Sequence, residues 1–237
     1  MSTTVSRPAS PVDVVALQLA NPTRMVTVPL GILAAVVVVM VAVTIAVVQA
    51  GGRGSDLEYN GAVIWSLTGF MVAVGVQSVA VAFPLALALG STRRSFTLGV
   101  LATEVLQALG LTVAALVLLG LELATDGWFV GARVLSDSTL GGGNPGVLAV
   151  TVLLGALSAL ASGGLFGAAF VRFGSRGPVV LGIAVAALAV LVLLVLLPQI
   201  IAAAAAFQTW WLVVAALVVV AVGTAGEYLL LRRASVR

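Results

Sequence analysis

Six stretches of the chain are nearly uninterrupted runs of Val, Leu, Ala, Ile and Gly, near residues 26–50, 61–89, 96–123, 146–171, 178–197 and 209–231. Runs of about 20 apolar residues are long enough for a helix to cross a hydrocarbon layer about 30 Å thick. Lipid offers a free backbone amide no partner, so spanning segments are helices or closed barrels. Barrel strands alternate apolar and polar side chains, and these runs do not. The pattern predicts a six-helix transmembrane bundle, all-α, in one domain over residues 1–237. No repeat, linker or change of composition divides it. Ahead of the first run, Ser10-Pro11-Val12-Asp13 has the form of a capping box with proline at the first helical position. Asn21-Pro22 supplies a stop. Between them Val12, Val15, Ala16 and Leu19 share one face, with Asp13 and Gln18 away from it. A short interfacial helix lying on the inner leaflet is expected, with a frayed tail as the other reading. The first run is too long for the apolar core of a cleaved signal peptide and reads as an uncleaved span.

Composition sharpens this picture. Of the 237 residues 62% are hydrophobic and 8% charged, against about 25% charged in soluble domains. Cysteine and histidine are absent, which removes disulfides, thiolate metal sites and the commonest general base. No catalytic, cofactor-binding or metal site is expected in the chain itself. All the basic residues are arginine, which with the Ala, Val, Gly and Leu excess reads as the codon bias of a GC-rich bacterial genome. The expected location is therefore a bacterial cytoplasmic membrane. With the N-terminus inside, Arg7, Arg24, Arg93, Arg94, Arg172, Arg176, Arg232, Arg233 and Arg237 fall on the cytoplasmic side, and only Arg53 and Arg133 outside. That asymmetry follows the positive-inside rule and places both termini in the cytoplasm. Trp65, Trp128, Trp210 and Trp211 then form one outer interfacial belt. The net charge of +3 is spent at membrane edges, and no nucleic-acid partner is implied.

A few side chains interrupt the apolar runs. Gln77 sits near the middle of the second span, and Glu104 and Gln107 share a face of the third. A charged residue at depth costs about 2.5 kcal/mol or more, so it normally faces protein or water. Lining of a pathway is one reading of Gln77, Glu104 and Gln107; a structural hydrogen bond or a neutral carboxylic acid is the other. Glu227, near the inner end of the sixth span, is expected to reach the interface beside Arg232. Gly155, Ala159, Gly163 and Gly167 recur at four-residue spacing in the fourth span, which lets two helix backbones approach closely, within the chain or between subunits. The fifth span has no polar side chain from Pro178 to Leu197 and is expected to face lipid.

The second and third spans are long and joined by a short polar turn, Leu89-Gly90-Ser91-Thr92-Arg93-Arg94-Ser95-Phe96-Thr97-Leu98-Gly99. Taken alone it is either a protruding cytoplasmic knob or a plain positive-inside hairpin. In this turn, and in the layout of nearly the whole chain, the sequence resembles the permease subunits of type-2 ABC exporters. Their second and third spans are joined by a coupling helix that often reads Leu-Gly-x-Ser/Thr-Arg-Arg-x-Phe followed by a glycine. Leu89, Gly90, Thr92, Arg93, Arg94, Phe96 and Gly99 match. The last outer connection departs from the pattern, because 198–208 leaves room for only a brief re-entrant helix. The resemblance implies a six-span exporter fold with an N-terminal interfacial helix and an ATPase subunit docked on Ser91, Thr92, Arg93, Arg94, Ser95 and Phe96. ATP and Mg would bind that partner, since this chain has no phosphate-binding loop and no lysine to complete one. It also implies a second permease copy or paralogue, and alternating access for a hydrophobic or amphipathic substrate: a drug, a peptide or a lipid. The alternative is a secondary transporter or small channel using Glu104 as a proton or cation site. No span reads as broken at mid-membrane and no inverted repeat is evident, which weighs against it.

Overall fold

A computed structural model describes residues 10–20, 23–53, 61–204 and 210–234. Among these residues the chain is helical with no strand: α1 Pro11–Leu19, α2 Val28–Gln49, α3 Ala62–Ala80, α4 Ala82–Ala88, α5 Arg93–Ala124, α6 Pro145–Phe173, α7 Arg176–Ala204 and α8 Trp210–Arg232. Six segments are long and apolar enough to cross a membrane, with α3 and α4 together making one of them. The chain fits a multi-pass membrane protein. Successive spans run in alternating directions. Trp65, Trp128, Trp210 and Trp211 therefore gather at one end of the bundle, and Arg93, Arg94, Arg172, Arg176, Arg232 and Arg233 at the other.

Two spans differ from the sequence reading. The second is two helices, broken at Val81. Pro84 explains the break: it has no N–H for the Ala80 carbonyl, and its ring crowds that carbonyl. The fifth does not stop at Pro198 but continues as helix to Ala204. The family-like re-entrant element therefore finds no place in 198–204, and residues 205–209 lie outside the described residues.

In lipid, helices gain little from hiding apolar surface, and close packing decides which of them meet. α6 is the hub, lying against α3, α5, α7 and α8. Its small residues do not all face the same way. A Cβ added to Gly163 would press on the Val72 carbonyl and lie 2.9 Å from Gly75 Cα, and one on Gly167 would meet Val76 and Val79. Ala159 is buried in the same core, whereas a Cβ on Gly155 would meet nothing within 4 Å. Gly163 and Gly167 thus seat α6 on α3 within one chain, and Gly155 is no part of that contact. α7, the most apolar span with a mean hydropathy of 3.3, touches the rest of the protein closely at Gly177 beside Ala169 and has no buried residue along its most apolar stretch. That matches the expected lipid-facing role.

The N-terminal helix forms as its capping box requires. The Asp13 carboxylate accepts from Ser10 N at 2.7 Å, and Ser10 Oγ accepts from Asp13 N at 3.4 Å. Its orientation shows which side meets the protein. Val14 and Gln18 are the buried residues, while Val12 and Leu19 point away from the protein. Gln18 Nε2 donates to the Ser78 carbonyl at 3.4 Å, and Val14 fills the space over Gly99 on α5. α1 is therefore packed on α5 through Val14 and tied to α3 by the polar anchor Gln18, with Val12 and Leu19 left on the side away from the protein. The Asn21-Pro22 stop lies outside the described residues.

Candidate functional site

Three polar arrangements interrupt the apolar bundle, and α5 takes part in all of them. The first is the hairpin at the arginine end. α4 closes with Gly90 at φ +87°, its N–H donating to the Leu87 carbonyl, and with Ser91 N donating to the Ala86 carbonyl, both at 3.0 Å. This is a glycine-terminated helix end that satisfies carbonyls otherwise left free, and a side chain at residue 90 would be strained. Thr92 then caps α5, its Oγ1 accepting from Ser95 N at 3.1 Å and donating to Ser95 Oγ at 2.9 Å. Arg93 Nη1 donates to the Arg232 carbonyl at 2.8 Å. A cation at a helix C-terminus is favourable, so Arg93 clasps the last turn of α8. Arg94 stays exposed. Phe96 is wholly buried and meets Phe83 edge-on, with ring centroids 5.1 Å apart. Of the residues assigned to a docking surface, Arg94 and Thr92 face outward, Ser91 is buried, and the Phe96 ring is committed to the interior.

The second arrangement lies deeper. Glu104 on α5 is 3% exposed and Glu227 on α8 is 0% exposed. Glu227 does not reach the interface beside Arg232, as the sequence suggested; it turns into the bundle. Its neighbours on the same row of α8, Gly223 and Leu231, are also buried, and Gly223 lies against Ala161 on α6. Both carboxyl groups converge on Gly164 of α6, where an added Cβ would lie 2.5 Å from Glu227 Oε2 and 3.3 Å from Glu104 Oε1. Glu104 Oε1 and both Glu227 oxygens have no hydrogen-bond partner among the described residues.

Gln77 and Gln107 do not join this pair. Gln77 is exposed on the outside of α3, so the three polar residues read as one pathway lining are not brought together. Gln107 is half-buried and its Nε2 donates to the Met25 carbonyl at 3.2 Å, which holds the start of the first span against α5. A cavity of about 130 Å³ lies beside it, lined by Met25, Pro29, Thr103, Gln107 and Leu111 among others.

The third arrangement is at the tryptophan end and went unread in the sequence. Glu122, 1% exposed, accepts hydrogen bonds from the backbone N–H groups of Val134 at 3.1 Å and of Leu135 and Ser136 at 2.9 Å. It also accepts from Ser136 Oγ and from Trp128 Nε1 at 3.0 Å. One carboxylate thus folds the loop from 125 to 137 over the bundle. The loop carries Asp126, Trp128 and Phe129 at positive φ, a strained conformation that the surrounding contacts must hold. A carboxylate in an apolar run was the available signal for Glu122, as it was for Glu104. Among the described residues no group of three or more acidic side chains could hold a metal ion.

Comparison with family models, with curated proteins and with solved structures finds no match to this chain.

Proposed function

We propose that this chain is the transmembrane permease subunit of an ATP-driven exporter, moving a hydrophobic or amphipathic substrate out of the cytoplasm. The observation that carries this reading is the hairpin between α4 and α5. It is short, rigidly capped at both helix ends and presents Arg94 outward, while Arg93 ties it to the end of α8. A partner pressing on such a hairpin moves α5 and α8 together, which is what coupling to an ATPase needs. Thr92 and Arg94 are the contact residues on this reading; Arg93 serves the hairpin's own attachment, and Phe96 its seat. ATP and Mg belong to the partner subunit, and a second permease copy or paralogue completes the pathway. The arginine end faces the cytoplasm of a bacterial cell, by the arginine asymmetry alone.

Purification of the tagged chain from its own membranes tests this. An ATPase subunit with a phosphate-binding loop is expected to accompany it, and Arg94→Ala is expected to weaken that association while leaving insertion unchanged. A purified chain that moves substrate without nucleotide would overturn the proposal in favour of a secondary transporter.

A further inference from the structure

We propose that Glu104 and Glu227 form a proton-binding site, holding one proton between them at the junction of α5, α6 and α8. Both side chains are buried, at 3% and 0% exposed, and among the described residues three of their oxygens have no hydrogen-bond partner. Gly164 supplies the space for them: any side chain there would displace the Glu227 carboxyl group. A buried carboxylate without a hydrogen bond or counter-charge is costly, and two of them converging on one point add repulsion to desolvation. A proton removes both costs at once, since a carboxylic acid donates the hydrogen bond that a neighbouring carboxylate lacks. A metal ion fits less well. Sodium-like and calcium-like ions ask for about six oxygen ligands, and the neighbouring Gly164 has no side chain to give.

The groups that bear on the pair are few. α3, α4 and the buried part of α6 contribute no titratable side chain, and α6 has only Arg172 in its last turn. On α5, Arg93 and Arg94 lie about 16 Å along the axis from Glu104, at 1.5 Å per residue. On α8, Tyr228 points outward, and Arg232 and Arg233 are exposed one turn or more beyond Glu227; Arg176 opens α7, and Asp13 on α1 is exposed. The site stands whether or not an ATPase partner exists.

Infrared spectroscopy of the purified chain in a maltoside detergent, which contributes no carbonyl band, tests the proposal. At neutral pH one carboxylic-acid C=O band with the amplitude of one group per chain is expected. It should shift on transfer to heavy water and be lost in the double variant Glu104→Gln/Glu227→Gln. Three results would overturn the proposal: no such band at neutral pH, which means both groups are ionised; two bands' worth of amplitude, which means separate acids; or a band abolished by sodium or calcium at fixed pH, which means a cation site. The measurement on the unmodified chain decides between these even where the double variant fails to fold.

Discussion

Replacing Gly163 with alanine should damage the bundle far more than the same change at Gly155, although both belong to one four-residue repeat. A methyl group at 163 would press on the Val72 carbonyl and lie 2.9 Å from both Gly75 Cα and Val76 N. Comfortable contact between such atoms begins at about 3.5 Å, so α3 and α6 must part by something approaching 1 Å. No side chain can rotate out of the way, because every atom met is backbone. A gap of that size forfeits a quarter to a half of the dispersion energy of the contacts opened along the crossing. Overpacking typically costs about 1–3 kcal/mol, and a clash between two rigid helices belongs near 3 kcal/mol. At Gly155 an added methyl meets nothing within 4 Å, and alanine is favoured over glycine in a helix by about 1 kcal/mol. That gain applies at both positions and cancels, so the two variants should differ by about 3 kcal/mol. Reversible unfolding in mixed maltoside and dodecyl sulfate micelles, followed by tryptophan fluorescence, gives both values. Equal stabilities within about 1 kcal/mol would refute the close α3–α6 crossing as the contact that organises the bundle.

Other outcomes follow from single contacts. Glu122→Ala would strand three backbone N–H groups at about 1–3 kcal/mol each, so faster hydrogen exchange and tryptic cleavage at Arg133 are expected, with the helices intact. Arg93→Ala removes one exposed hydrogen bond and should cost about 0.5–1.5 kcal/mol in thermal stability, whereas Arg94→Ala should leave stability unchanged and lower ATPase co-purification. Gln18→Leu should loosen α1 from α3, read as accessibility of a cysteine introduced at Ala16, because it deletes the bond to the Ser78 carbonyl. Reporter fusions at Arg94 and after Arg233 should both report the cytoplasm, and an external report at either would reverse the orientation proposed for the chain.

The spans were legible because a bilayer dictates both the length and the apolarity of what crosses it, and few other sequences satisfy both. The faces were not. Where a helix is apolar all round, as α8 is between Trp210 and Thr224, periodicity carries no signal and the side turned inward must be found elsewhere. For α8 it is present as a row of four-residue steps, Gly223, Glu227 and Leu231, of which only the middle residue is polar, and its place near the end of the span points to the interface instead. On α5 the buried row Val100, Glu104, Ala108, Leu111, Ala115, Leu119 and Glu122 is equally regular and leaves Gln107 off its centre. Polarity alone therefore groups Gln77, Glu104 and Gln107, whereas burial groups Glu104 with Glu227 beside Gly164. The Pro84 break follows directly from the missing N–H; Pro198, by contrast, reads as a stop in sequence but lies inside the continuous α7.

The placement of Arg93 and Glu104 on α5 has a mechanical consequence. Arg93 meets α8 at its last turn, and Glu104, about 16 Å further along α5, converges on Gly164 with Glu227 of α8, only five residues before Arg232. α5 and α8 therefore come together at two heights near one end. Two joints of this kind resist a change of crossing angle more than either alone, because a tilt that relaxes one must stretch the other. Displacing the hairpin against α8 therefore means either breaking the Arg93 bond or carrying the end of α8 with it. In the second case the motion arrives at the carboxyl pair, whose groups α5 and α8 bring together at Gly164. The hairpin and the pair are in this sense one device, and a variant that cuts the Arg93 link should leave each present but no longer moving together.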